Sequence, residues 1–65
     1  MPKKLTSKDL EILSEMMLLE ELAYKKSSLY EKQFKEQELK DQCKVLAENH
    51  KSRYTALNDY LASHN

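Results

Sequence analysis

The sequence predicts an all-α protein: an antiparallel two-helix hairpin that dimerises into a four-helix bundle. Three observations carry this expectation. There is no glycine, and the one proline sits at position 2, so tight turns and a meandering sheet have little to build on. Leu, Lys, Glu, Ala, Gln and Met, all good helix formers, dominate the composition. Apolar residues recur at alternating spacings of three and four, the periodicity of a helix with one buried face.

At 65 residues the chain makes one domain, residues 1–65. Two helices alone give no second layer to pack against, and so small a core rarely sustains a monomer. Self-association is therefore expected on size alone. The 11 basic and 11 acidic residues cancel, which removes the electrostatic case for nucleic acid or an anionic membrane. Apolar residues make up 40% of the chain, and their periodic placement speaks against disorder. No apolar run approaches the ~18 residues of a membrane span. The basic lead Met1-Pro2-Lys3-Lys4 is not followed by a signal-type apolar segment, so a cytoplasmic location is the expectation. A single cysteine, Cys43, excludes a disulfide framework within the chain.

The first helix is expected over about residues 7–33. Thr6 has the chemistry of an N-cap, Asp9 occupies the capping-box position, and Leu5 and Leu10 fill the two staple positions around them. Its apolar face steps through Leu13, Met16 and Met17, Glu20, Ala23 and Tyr24, Ser27, Tyr30 and Phe34. The next apolar residue is Leu39, a step of five, and this phase slip places a bend near Phe34 to Gln37. The bend contains no Gly, Pro, Asn or Asp, so one unbroken helix in a parallel coiled coil is the competing reading. The second helix is expected over about residues 37–63. Its face runs through Leu39, Cys43, Leu46, His50, Arg53 and Tyr54, Leu57, and Tyr60 and Leu61.

Leu13, Met16, Met17 and Tyr24 of the first helix, with Leu46, Tyr54 and Leu57 of the second, form the candidate interface. Leu18, Leu22 and Leu29 fall on the back of the first helix, with Ile12 and Leu19 bridging the two sets. The plain reading gives these leucines to a dimer partner, since a bundle asks each helix to meet two neighbours. The sharper reading makes them a docking surface for a further protein.

Each apolar face carries an ionisable residue at its centre, Glu20 on one and His50 on the other. The two are equally far from a bend at Lys35, so antiparallel helices bring them level. A carboxylate and an imidazole are costly to bury singly and acceptable as a pair. The plain reading is a hydrogen bond that sets helix register. The functional one is a divalent metal held by Glu20 and His50 of both chains in a dimer. Helix-bundle di-iron sites require a Glu-x-x-His motif, and the position three before His50 is Ala47, so that ligand set is incomplete. Glu21 and Glu48 point off the seam.

The other chemistry-bearing residues read as structural. Tyr24, Tyr30, Tyr54 and Tyr60 lie on or beside the two faces as ordinary packing with a wet hydroxyl. Arg53 intrudes on the second face and needs an acidic partner on the first helix or on a second chain. Cys43, level with Ser27, reads as a small core residue, the alternative being a disulfide between chains. His64 is expected in solvent. The Lys3-Lys4 and Lys25-Lys26 pairs are too short for nucleic-acid patches. There is no phosphate loop, Cys-x-x-Cys, His-Glu-x-x-His or serine elbow, so an enzyme is not expected.

Over about residues 8–62 the sequence resembles the spore coat protein F-like family, a ferritin-like helical group of spore-forming Firmicutes. The resemblance runs through Asp9-Leu10, Leu18-Leu19-Glu20-Glu21-Leu22-Ala23-Tyr24, Glu38-Leu39-Lys40, Glu48-Asn49-His50 and Leu57-Asn58-Asp59-Tyr60-Leu61. The bend Phe34-Lys35-Glu36-Gln37 departs from the Asn-Pro or similar breaker usual in the family. The resemblance implies a ferritin-like helical architecture and a non-catalytic structural role in sporulation or the spore coat; members often hold more helices, and that departure in this two-helix chain favours a homodimer that rebuilds four. It also implies a ferritin metal site mostly lost, with Glu20 and His50 alone at ligand positions. A helical adaptor that docks a regulatory partner through Leu18, Leu22 and Leu29 is the remaining alternative.

Overall fold

The structure is a computed structural model that describes residues 4–64. It contains two helices of 27 residues each, α1 (Ser7–Gln33) and α2 (Gln37–Ser63), packed against each other as a hairpin. Among the described residues there is no strand. A 27-residue helix is about 40 Å long, and the molecule is correspondingly slender, 50 × 18 × 11 Å with a radius of gyration of 15.0 Å. A compact chain of this length has a radius of gyration of about 11 Å.

The start of α1 follows from its first residues. Thr6 is extended, with φ −77° and ψ 165°. Its Oγ1 accepts from the Asp9 backbone N–H at 3.0 Å, and its own N–H donates to Asp9 Oδ2 at 3.0 Å. This reciprocal box satisfies two backbone donors that a helix start leaves free, and aspartate is long enough to close it. The other end is less heavily marked. Phe34 leaves the helix with φ −75° and ψ 142°, its N–H donating to the Tyr30 carbonyl at 3.1 Å. Glu36, φ −75° and ψ 127°, caps α2 without a side-chain hydrogen bond. The chain thus reverses through extended residues, and no described residue has a positive φ. That explains a bend without glycine or asparagine: no left-handed residue is needed.

At the far end the structure corrects the expectation that His64 is solvated. It is half-buried, its ring stacks on Tyr60 with centroids 3.8 Å apart at 19°, and its N–H donates to the Tyr60 carbonyl at 3.1 Å. The spacing of four along the helix makes this contact available, and it closes α2.

The seam between the helices is shallow. Leu13, Met17 and Tyr24 of α1 and Cys43, Tyr54, Leu57 and Leu61 of α2 are only half-buried. Ala47, 5% exposed, is the one described residue that is fully buried. Met16 and Leu46, expected on the seam, lie on its rim at 44% and 50% exposure. The reason is rotational. Met16 and Leu46 sit roughly 40° to one side of Glu20 and His50, while Met17, Tyr24, Ala47 and Tyr54 sit on the other, and the helices meet on that other side.

The accessible surface of 5425 Å² exceeds the about 4300 Å² of a compact 7.7 kDa monomer. The excess of roughly 1100 Å² is comparable with the ~800 Å² that each partner loses in a standard interface.

Candidate functional site

Glu20, His50 and Arg53 meet at mid-hairpin. Glu20 is in the middle of α1, and His50 and Arg53 are three residues apart on α2, so both α2 side chains reach one carboxylate. Arg53 Nε donates to Glu20 Oε2 at 2.9 Å, and His50 Nδ1 lies 3.1 Å from the same oxygen. Arg53 Nη2 is 2.9 Å from His50 Nδ1.

These distances constrain the imidazole. Guanidinium can only donate, so the Arg53 contact requires a lone pair on Nδ1. The Glu20 contact requires a proton on the same atom. His50 therefore satisfies one neighbour at a time, and Arg53 holds Glu20 in either tautomer. The Glu20 carboxyl is held below its ordinary value, first by the hydrogen bond from His50 and then by the hydrogen bond and charge of Arg53, against the opposing effect of burial.

The pair predicted to face each other, Glu20 and His50, is thus brought together, and Arg53 finds its acidic partner on the first helix of its own chain. The surroundings differ from a closed apolar interior. The Glu20 and His50 side chains retain 21% and 20% of their exposure, and Arg53 55%, so the cluster forms part of an open wall. As a metal centre it is short of ligands. Arg53 already supplies the cation beside Glu20 Oε2, and no group of three or more His, Cys, Asp or Glu side chains converges among the described residues. Cys43 is a free, half-buried thiol.

The wall belongs to a groove. Leu13, Met16, Leu19 and Glu20 of α1 face Arg53, Ala56, Leu57 and Tyr60 of α2 across an open, mostly apolar channel of about 520 Å³. It lies on one side of the hairpin, while Met17, Leu18 and Glu21 of α1 face Tyr54 and Leu61 of α2 on the opposite side. Sequence reasoning missed this groove. Its signal was the offset of Met16, Leu19 and Tyr60 to one side of the seam, which becomes a common side only when both helix rotations are known.

The remaining candidate interface residues divide accordingly. Leu13, Met17, Tyr24, Tyr54 and Leu57 support the seam, Met16 lines the groove, and Leu46 is exposed on the rim. Leu22 and Leu29 stay away from both at 50% and 52% exposure, and Leu18, 67% exposed, reaches only the margin of the seam beside Tyr54 and Leu61 on the side opposite the groove. Among the described residues no helix is long and apolar enough to cross a membrane.

The chain matches no family model, no curated protein and no solved structure. The resemblance to coat protein F-like proteins thus rests on the sequence pattern alone.

Proposed function

We propose that this chain is a non-catalytic structural and interaction protein whose working form is a homodimer, two hairpins closing groove to groove into a four-helix bundle. One observation carries the reading. The hairpin fully buries only Ala47 among its described residues while Ile12, Met16 and Leu19 of α1 and Leu46 and Tyr60 of α2 remain between 44% and 60% exposed. Apolar area is the main source of folding free energy, and a second copy supplies the missing layer. Glu20 and Arg53, which line the groove, give that interface a polar mark, and together with His50 their role is to fix the register of the helices rather than to transform a substrate.

The sporulation or spore-coat setting comes from the sequence resemblance. A non-catalytic assembly unit suits it, and localisation of the tagged protein in a sporulating cell tests it. The dimer is tested by thermal unfolding at several concentrations. When association stabilises the folded state, the midpoint rises with protein concentration. Midpoints that coincide over a hundredfold range of concentration would end the proposal.

A further inference from the structure

The groove dimer leaves the outer edge of α1 uncovered. Leu18, Leu22 and Leu29 project there at 67%, 50% and 52% exposure, and Leu18 and Leu22 share that surface with Glu21 and Lys25. These leucines belong to a longer stripe: Glu11, Glu15, Leu18, Leu22, Lys25, Leu29 and Lys32 recur at alternating spacings of four and three, the seam of a coiled coil. The stripe is polar lengthwise, with acids at its N-terminal end, leucines in its middle and lysines in its C-terminal part.

We infer that this edge is a second self-association surface, on which α1 of another copy lies antiparallel. Charge complementarity selects that occupant and that direction. About a two-fold axis near the middle of the stripe, Leu18 meets Leu29 of the other copy, Leu22 meets its Lys25, and Glu15 its Lys32. Each such contact occurs twice, as an isologous interface requires. In a parallel arrangement Glu15 lies beside Glu15 and Lys32 beside Lys32, and like charges repel. Within one chain the edge charges are only loosely engaged: Lys25, well exposed, pairs with the partly exposed Glu21 at 3.0 Å, an arrangement of small energetic value.

The assembly consequence rests on the groove dimer proposed above. A chain with two different two-fold surfaces, groove and edge, assembles beyond the dimer, into a closed tetramer where the two axes meet at right angles and an open row where they do not intersect. With lysines within the stripe the edge contact is the weaker of the two, and it operates where dimers are concentrated.

The test uses the full chain. An edge variant, Leu18→Gln with Leu22→Gln and Leu29→Gln, removes apolar surface while keeping helix formers. A groove variant replaces Met16 and Leu19 by Gln. Circular dichroism checks that each remains helical, and sedimentation velocity reads the mass distribution. Unmodified protein is expected to grow beyond the dimer as concentration rises, and the edge variant to stop at the dimer. An edge variant with an unaltered distribution overturns the second surface. A groove variant that sediments like the unmodified protein instead overturns the dimer reading and leaves the edge standing.

Direction is tested by charge reversal. Glu15→Lys or Lys32→Glu alone should weaken edge association about three- to tenfold at low salt, and the two together in one chain should restore it to within about twofold. Additive loss in the double variant refutes the antiparallel pairing. If the edge is used by a different protein, the stripe variants change no self-association at all, and the second-copy assignment fails.

Discussion

Leu19 provides a quantitative test of the groove. It retains 60% of its exposure in the hairpin and lines the channel opposite α2. Full burial of a leucine is worth about 1.5–3 kcal/mol. With about three-fifths of its surface still to be covered, each copy has roughly 1–2 kcal/mol to gain on closing the groove. A two-fold interface uses Leu19 twice, so Leu19→Gln should cost the dimer about 2–4 kcal/mol. That corresponds to a dissociation constant about 20- to several hundred-fold weaker. Glutamine is nearly as good a helix former as leucine, so the hairpin itself should keep its helical signal. The assay is sedimentation equilibrium over a dilution series, with circular dichroism on the same samples. A dissociation constant within about threefold of the unmodified protein's, at equal helicity, would refute the assignment of Leu19 to the interface.

Further predictions concern the hairpin. Thr6→Ala removes one arm of the capping box and should cost about 1 kcal/mol, lowering the thermal midpoint by roughly 4–8 °C; an unchanged midpoint means the box adds nothing. Ala47→Leu forces added volume into the one fully buried position and should destabilise by about 1–3 kcal/mol, whereas an unaltered denaturant midpoint would show that the seam is loose there. The Glu20 carboxyl is held below its ordinary value in the folded chain, so its contribution is complete above the ordinary carboxylate range, about 4.3. That contribution is lost as pH falls through the lower folded value. Unmodified protein should therefore lose thermal stability on acidification more steeply than Glu20→Gln, and parallel pH profiles would remove the carboxylate from the account.

Much of the fold was legible along the chain because its signals are local. Thr6 and Asp9 mark the start of α1 through contacts three residues apart. The phase slip from Phe34 to Leu39 marks the bend even though no breaker residue is present, because periodicity registers rotation independently of turn chemistry. Equal distance from the bend brought Glu20 and His50 level. What periodicity leaves open is the rotation of each helix within its apolar arc. Met16 and Met17 lie about 100° apart, and only packing against α2 decides that Met17 turns inward. Leu46 is displaced for the same reason. The groove depends on both rotations at once, so Leu19, Ala56 and Tyr60 could not be assembled from either helix alone. Arg53 was readable as needing an acid, but its choice of Glu20 depends on the approach of the helices. His64 docks through stacking on Tyr60, which a pattern of apolar residues does not register.

The central claim is that the folded hairpin is completed by a second copy of itself. Sedimentation equilibrium and circular dichroism on one dilution series of unmodified protein test it most directly. Folded, helical protein should show a mass of at least twice 7.7 kDa, and the monomer mass should emerge only as the helical signal falls. A fully helical species of 7.7 kDa that persists on dilution would contradict the account.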